Sequence, residues 1–313
     1  MKTALIIGSE GQDGKIAFDL LSQKGYRLLG LGRNTSRSLH LNWIRPVDIT
    51  NKEAVYELMR TIKIDEIYYL AACHHSSQDE VKDDANLFED SYAINVQGLL
   101  YFLEGIKKLS IQTRLFYASS SLIYENSLIE IQDETAPFEP NSIYAISKLS
   151  GMMLCRYYRE RHAVFASCGI LYNHESPYRE ESFISKKIIQ AAVRIKRGQQ
   201  SELVVGDLNA AIDWGYAQDY VQAMYLILNL AQADDFIVAT GRKYYVYDFI
   251  QKAFELLDLD WKQYVKEDKS MIKRKRKSLI GNPTKLMNQT SWHPTVDFNE
   301  MVRILVQAQE AQA

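Results

Sequence analysis

The sequence contains few cysteines, no long apolar run and no excess of charge of either sign. Its three cysteines, Cys73, Cys155 and Cys168, are odd in number and far apart in 313 residues, so we expect a reducing cytosol and no disulfide framework. No apolar run approaches the about 18 residues of a membrane helix, and the apolar start of the chain is too short for a signal peptide. With 37 basic and 39 acidic residues, the net charge of −2 excludes a polybasic nucleic-acid binder. We therefore expect a cytoplasmic protein with neither a membrane nor a nucleic acid as partner.

Short apolar runs alternate with helical patterns through the first half of the chain. The predicted strands are 3–7, 27–32, 66–70, 114–119 and 163–171, and the predicted helices include 92–108 and 143–161. Thr50-Asn51-Lys52-Glu53 matches a capping box at the start of another helix that ends near residue 62. Such alternation predicts a Rossmann-like α/β fold, with a doubly wound parallel sheet and helices on both faces.

The alternation loosens beyond residue 171, where a second, smaller α/β domain is predicted. Its helices are expected at 182–196, 246–257 and 298–310. We assign residues 1–172 to a Rossmann domain, to which 211–243 return, and residues 173–210 and 244–313 to a substrate-binding domain.

A glycine-rich loop directly follows the first predicted strand. The segment Gly8-Ser9-Glu10-Gly11-Gln12-Asp13-Gly14 spaces its glycines as GxxGxxG and stands immediately before the first predicted helix. Such a loop lets backbone approach a pyrophosphate and directs the amides of a helix amino terminus at it. An ordinary glycine-rich turn would have the same composition, but the place of the loop after the first strand favours a dinucleotide site.

The end of the second predicted strand indicates which dinucleotide is bound. NAD sites usually carry an acidic residue there for the ribose hydroxyls, whereas NADP sites prefer arginine. Here the strand is followed by Arg33, Thr35 and Ser36 and by no acid, so we expect NADP(H). The alternative is that Arg33 is a solvated loop residue. Asp48 could accept a hydrogen bond from the adenine amino group, although local turn chemistry explains it equally well.

Tyr144 and Lys148 stand four residues apart, on one face of the helix predicted to begin near residue 143. An adjacent ammonium favours phenolate and lowers the pKa of a tyrosine toward the working pH, as a general acid/base requires. The serine-rich strand end 119–121 precedes the pair. A surface Tyr/Lys pair is the alternative, but the order of glycine loop, serine, tyrosine and lysine favours a catalytic set.

This order of motifs resembles the extended short-chain dehydrogenase/reductases that act on nucleotide sugars, and more closely the GDP-mannose 4,6-dehydratase family. The resemblance covers essentially the whole chain. The matching segments are 8–14, 70–72, 95–98, 144–148, 173–177, 213–221, 239–241 and 281–285.

The resemblance implies hydride exchange between the cofactor and C4 of a nucleotide sugar. It implies that Tyr144 exchanges the proton of the C4 oxygen, that Ser120 hydrogen-bonds this oxygen, and that Lys148 tunes Tyr144 and holds the nicotinamide ribose. The expected cofactor-binding residues are Gly8, Gly11, Gln12, Asp13, Gly14, Arg33, Asp48, Ile49, Leu70, Ala71, Tyr144 and Lys148. The expected substrate-binding residues are Ser121, Asn173, Lys187, Asp213 and Tyr216. The substrate is then a GDP-linked sugar, and pairing of long helices between subunits implies a homodimer or homotetramer.

Two features depart from the family pattern. Leu122 stands two residues after Ser120, where the dehydratases carry the glutamate that removes the C5 proton. A leucine cannot move a proton, and redox chemistry at C4 does not need this base. Glu125 is the nearest acid that could replace it. Ile212 stands where the family has an arginine before Asp213, and Ile272 stands where a second arginine is expected. The neighbouring basic run 273–277 either supplies the phosphate contacts instead or is a solvated loop.

Three functions are consistent with these residues. The first is an NADP(H)-dependent 4-keto reductase or epimerase acting on a GDP-linked sugar. The second is a GDP-mannose 4,6-dehydratase with a displaced base, and the third is a catalytically silent, NADP-binding regulatory protein. No metal is expected, because His74 and His75 beside Cys73 lack a second cluster of ligands.

Overall fold

A seven-stranded sheet forms the centre of the computed structural model, which describes residues 1–33, 35–42, 45–73, 83–272 and 277–312. In the described residues the strands are β1 (Thr3–Ile7), β2 (Arg27–Leu31), β3 (Ser36–Leu39), β4 (Glu66–Tyr69), β5 (Arg114–Ser120), β6 (Ile131–Gln132), β7 (Ala166–Leu171), β8 (Asn173–Glu175), β9 (Leu203–Val205), β10 (Ala211–Ile212), β11 (Trp214–Tyr216), β12 (Asp235–Val238), β13 (Tyr244–Tyr245), β14 (Val265–Glu267) and β15 (Ile280–Gly281).

The main sheet has the order β12-β7-β5-β4-β1-β2-β3. Its neighbours run parallel, except that β3 pairs antiparallel with β2 at one edge. All five residues of β1 are buried, as expected for a central strand covered on both faces. The prediction of a doubly wound parallel sheet is confirmed. The other strands form four two-stranded pairs outside this sheet.

Helices cover the sheet and also pack on one another outside it. Their bounds are α1 (Gln12–Gln23), α2 (Lys52–Thr61), α3 (Asp84–Tyr92), α4 (Leu99–Leu109), α5 (Ile143–His162), α6 (Ile184–Lys196), α7 (Ala217–Leu228), α8 (Val246–Glu255), α9 (Thr284–Thr290) and α10 (Phe298–Gln312). Helix α4 packs between α2 and α5, while α1 packs against α7. A separate group consists of α6, α8 and α10, which pack on one another.

The buried side chains form two hydrophobic cores. The first is built mainly from residues 4–172 and 217–239, and it also includes Leu286 and Trp292 from near the end of the chain. The second core lies among α6, α8 and α10 and includes Trp214. No helix in the described ranges is both long and apolar enough to cross a membrane.

The structure corrects one local prediction and adds detail to another. The capping box at Thr50 is wrong, because the side chain of Asn51 caps α2 by accepting from the N–H groups of Glu53 and Ala54 at 3.0 and 3.2 Å. The long helical stretch predicted over 92–108 is confirmed, but it is not one regular α-helix. Between α3 and α4 the chain adopts one π-helical segment, Ala93–Gly98, whose wider turn changes the direction of the side chains.

Candidate active site

The carboxyl ends of the parallel strands bring the predicted motifs to one edge of the sheet. The glycine loop follows β1, Leu70 follows β4, Ser120 ends β5, and Asn173 lies just after β7. In an open parallel sheet this edge is where ligands bind. The fold therefore assembles most of the predicted site from segments that are distant in sequence.

The glycine loop is shaped for close approach to a ligand. Gly8 has a φ of 90°, and a Cβ on Gly14 would lie 2.6 Å from the Cα of Ser9, so neither position tolerates a side chain. In the described chain no side chain caps α1, whose amino terminus begins after Gly11. A tight loop whose glycines leave the backbone uncovered, and which leads into an uncapped helix, fits the pyrophosphate of a dinucleotide.

Ser120, Tyr144 and Lys148 come together between β5 and α5. Ser120 hydrogen-bonds Tyr144 through their side chains. The Lys148 ammonium lies 5.8 Å from the centre of the Tyr144 ring and donates to the carbonyl oxygen of Ala118 at 2.9 Å. Lys148 is only 2% exposed, so it is held inside the protein by this one carbonyl and the two rings beside it, those of Tyr144 and Tyr117.

Burial controls the protonation of both catalytic candidates. It raises the pKa of Tyr144 to about 12, although the hydrogen bond with Ser120 and the charge of Arg179 act in the opposite direction. It lowers the pKa of Lys148 to about 7, against the attraction of the Asp13 carboxylate. The expected lowering of the Tyr144 pKa is thus wrong for the protein by itself, because loss of solvent outweighs the neighbouring charges.

Asn95 fixes the first turn of α5 from within the π-helical segment. Its amide donates to the Ser147 hydroxyl at 2.9 Å, and that hydroxyl donates to the carbonyl oxygen of Tyr144 at 2.8 Å. The Asn95 side-chain oxygen accepts from the N–H of Cys73 at 3.1 Å. Asn95 therefore links the end of β4 to the turn that carries Tyr144. It was matched as part of a family segment but not predicted as a site residue.

The glycine loop is bound to β8 by two polar side chains. The Asp13 carboxylate lies 3.0 Å from Nε2 of His174, whose ring stacks on Tyr220. Gln12 donates to the carbonyl oxygen of His174 at 3.0 Å and accepts from the Ser176 hydroxyl at 2.8 Å. Gln12 and Asp13 thus join the predicted cofactor loop to the segment that carries predicted substrate residues.

Arg179 adds a positive charge to this site that the sequence did not indicate. It pairs with Glu175 at 3.2 Å, and its guanidinium lies 3.5 Å from the centre of the Phe183 ring. Its positive charge acts to lower the pKa values of Asp13, Tyr144 and His174. The proline-marked loop predicted at 177–181 gave no sign of which of its polar residues would turn inward.

The other predicted cofactor residues occupy the rim of the same edge. Ala71 contacts Gly8 closely, since a Cβ on Gly8 would lie 2.7 Å from the Ala71 nitrogen. Arg33 is exposed after β2. Asp48 is exposed as well, and its carboxylate accepts from the N–H and hydroxyl of Thr50 at 2.9 and 2.7 Å, which is the local turn chemistry considered above. Ile49 and Leu70 are half-buried.

The predicted substrate residues are spread over four elements. Ser121 is buried directly after Ser120, Asn173 and Tyr216 lie on the paired strands β8 and β11, and Lys187 is half-buried on α6. Asp213 is fully buried, and its carboxylate accepts four hydrogen bonds.

Those four bonds come from the N–H groups of Thr240, Gly241 and Gly281 and from the Thr240 hydroxyl, at 2.5 to 3.2 Å. They hold three separate segments of the chain together. A substrate contact by Asp213 stays a prediction that these bonds do not support.

Leu122 lies on a turn of 3₁₀-helix, Ser121–Tyr124, that follows Ser120, and Glu125 is the residue directly after this turn. Leu122 is half-buried, and Glu125 is 5% exposed with its N–H bonded to the Leu122 carbonyl at 3.0 Å. The predictions for His74 and His75 and for residues 273–276 lie outside the described residues. Among the residues that are described, no group of three or more potential ligands could hold a metal ion.

A glycine loop, a strand-end serine and a Tyr/Lys pair at the carboxyl edge of a parallel sheet define an enzyme of the extended short-chain dehydrogenase/reductase superfamily. The model of the GDP-mannose 4,6 dehydratase family matches residues 5–305, and the chain belongs to this family. It is therefore an enzyme of a family that modifies nucleotide sugars.

Curated relatives resemble the chain over almost its whole length. GDP-mannose 4,6 dehydratase 2 of Arabidopsis thaliana is 36% identical over 97% of this chain and 86% of its own length. The human GDP-mannose 4,6 dehydratase is 32% identical over 97% of this chain and 90% of its own.

Solved structures share the fold at lower identity. The structure of RMD from Pseudomonas aeruginosa complexed with NADPH has a TM-score of 0.84 and 20% identity, with 100% of both chains covered. UDP-glucose 4-epimerase from Thermotoga maritima with UDP-glucose has a TM-score of 0.84 and 22% identity, with 99% of both chains covered.

Proposed function

We propose that the protein is an NADP(H)-dependent enzyme that reduces or epimerises a 4-keto nucleotide sugar, with GDP as the nucleotide. The observation that carries this proposal is the contrast between two neighbouring positions. Ser120 is in place with Tyr144 and Lys148, whereas Leu122 occupies the position of the dehydratase base. The site therefore retains the groups for redox chemistry at C4 and lacks the group for loss of water at C5 and C6.

Residues of the chain itself account for the binding and proton steps. The glycine loop and the first amides of α1 would hold the pyrophosphate of the cofactor, and Arg33 would face the 2′-phosphate. When bound, NADP(H) supplies or accepts the hydride of the sugar C4. Tyr144 gives its phenolic proton to the C4 oxygen in reduction and takes it back in oxidation, while Ser120 hydrogen-bonds the same oxygen.

Lys148 completes this set by its charge. With a pKa near 7 in the protein by itself, it takes up a proton readily at neutral pH. The ammonium then lies beside the Tyr144 ring, where it favours the phenolate that remains after proton transfer. The relatives' names and the bound NADPH of the Pseudomonas RMD support a GDP-linked substrate and NADP(H).

A second candidate function is the dehydration of GDP-mannose with Glu125 as the base. Residues three apart on a 3₁₀ turn lie on the same face, so Glu125 follows Leu122 one turn further on. Its carboxyl group belongs to a residue that is only 5% exposed, next to the serine that would bind the sugar. The curated relatives are named dehydratases, which also favours this function.

One pair of incubations separates these functions. The protein is incubated with GDP-mannose and NADP⁺, and separately with the 4-keto-6-deoxy derivative and NADPH, both in D₂O, with Tyr144→Phe as the matched control. A reductase consumes NADPH in the second reaction. A C4 epimerase instead converts GDP-mannose to its C4 stereoisomer in the first reaction, with no net change of the cofactor.

A dehydratase instead loses water in the first reaction and takes up solvent deuterium at C5, which mass spectrometry detects. Many turnovers with loss of water from GDP-mannose would refute the leading proposal. No turnover in either would favour a silent regulatory protein. A titration with NADPH and NADH tests the cofactor, and equal affinity for both would contradict the NADP(H) preference.

We further propose that the protein is cytoplasmic and assembles into a homodimer or homotetramer through α3 and α5. These helices pack together and carry exposed apolar side chains, with Phe88 44% and Tyr157 52% exposed. Light scattering after gel filtration measures the assembly. A monomer would contradict the proposal, and Tyr157→Glu should weaken a dimer built on this face.

A further inference from the structure

Glu10 places a carboxylate at the end of β2, although it belongs to the glycine loop after β1. Its Oε1 accepts a hydrogen bond from the Thr35 hydroxyl at 2.5 Å. A Cβ on Gly32, the residue directly after β2, would overlap the Glu10 carboxylate and lie 2.5 Å from Oγ1 of Thr35. The carboxylate therefore fills the space in which a side chain of residue 32 would begin.

This space decides between the two dinucleotides in folds of this kind. In NAD sites an acidic side chain near the end of the second strand accepts from the ribose hydroxyls. In NADP sites the same region is positively charged, because a carboxylate repels the 2′-phosphate. The sequence has no acid at the end of β2, but the folded chain brings one there from the preceding loop.

Among the basic side chains that the structure describes, none is hydrogen-bonded to the Glu10 carboxylate. Arg33 is exposed after β2. Arg37, on β3, stacks its guanidinium 3.7 Å from the centre of the Phe18 ring and lies 3.5 Å from the carbonyl oxygen of Ser9. The ribose end of the site thus combines two arginines that attract a phosphate with one glutamate that opposes it.

We propose that Glu10 is a specificity-determining residue that lowers the preference of this enzyme for NADP(H) over NAD(H). The proposal rests on the proposed function, which makes this edge of the sheet the cofactor site. It assigns Glu10 two effects. The carboxylate accepts from the free ribose hydroxyl of NADH, and it repels the phosphate that replaces this hydroxyl in NADPH.

Glu10→Gln tests the proposal by removing the charge while keeping the size of the side chain and a hydrogen-bond acceptor for Thr35. Calorimetric titration of the purified protein with NADPH and with NADH measures both affinities without any turnover. We expect NADPH to bind about tenfold more tightly to the variant. A change of this order corresponds to the interaction energy of two charges near a solvated surface. NADH is expected to bind no more tightly than before.

Glu255→Gln, on α8 in the smaller domain, is the matched control for the change in net charge and should alter neither affinity. If both nucleotides bind and Glu10→Gln leaves the ratio of their affinities unchanged, the inference is wrong and the proposed function stands. If neither nucleotide binds to the unchanged protein, the proposed function is wrong and the inference fails with it.

Discussion

Replacing Lys148 with methionine is expected to stabilise the cofactor-free protein while removing its activity. Burial lowers the pKa of Lys148 from 10.5 to about 7. At about 1.4 kcal/mol for each pH unit, this difference corresponds to about 5 kcal/mol of cost for the buried charge. Methionine is of similar length and carries no charge, so it avoids this cost.

The substitution also leaves the Ala118 carbonyl oxygen without the bond that Lys148 donates at 2.9 Å. A buried acceptor left unsatisfied costs about 1–3 kcal/mol. The net expectation at pH 6, where lysine is charged in both the folded and the unfolded state, is a gain of about 2–4 kcal/mol in the free energy of unfolding.

The pH dependence of this gain gives the sharper test. The unfolded chain keeps the Lys148 proton up to about pH 10.5, whereas the folded protein releases it near pH 7. Between these values the unfolded state binds more protons, so the stability of the wild type rises with pH and the advantage of the variant declines. At pH 10 the variant should be no more stable than the wild type.

Urea unfolding of both proteins at pH 6 and pH 10 measures these differences. Lys262→Met, at an exposed position on the surface, is the matched control and should show neither the gain nor its pH dependence. The reasoning is refuted if Lys148→Met is less stable than the wild type at pH 6, or if its advantage is the same at both pH values.

The remaining predictions concern the proton steps and the loop contacts. Tyr144→Phe should lower turnover by about 10²–10⁴-fold and leave cofactor binding largely intact, and a rate near that of the wild type would show that this phenol is not the proton donor. The variant Leu122→Glu should gain the ability to dehydrate GDP-mannose, which mass spectrometry detects. No gain would count against the argument that Leu122 stands at the position of the missing base. Asp13→Asn should lower the pKa of His174, because burial lowers this pKa and the Asp13 carboxylate raises it; an unchanged titration of the ring protons in NMR spectra would contradict this.

The parallel sheet could be predicted because its strands are marked locally. The run 3–7 is apolar throughout and appears as β1 with every residue buried. The π-helical segment could not be predicted in this way. Its register depends on Asn95 bonding to Cys73 and Ser147, which are 22 and 52 residues away, and no local periodicity records such partners.

The same distinction applies to the candidate site. Tyr144 and Lys148 were found because their spacing places them on one face of a single helix. Arg179 and Glu10 could not be predicted as site residues, because each reaches the site from a loop whose path is fixed by the rest of the fold. The pKa of Tyr144 was predicted in the wrong direction, since spacing shows which charge is near but not how much solvent has been lost.

The first core has a consequence for the order in which the chain can fold during synthesis. Its edge strand β12 packs against α9, and Leu286 and Trp292 complete the same core. The last residues of the first core therefore leave the ribosome after α6 and α8, which belong to the second core, have been made. Contacts between such distant residues form slowly, so the strands that are made first keep an unpaired sheet edge until then. A fragment that stops at the predicted boundary near residue 172 would therefore lack residues that complete its own core.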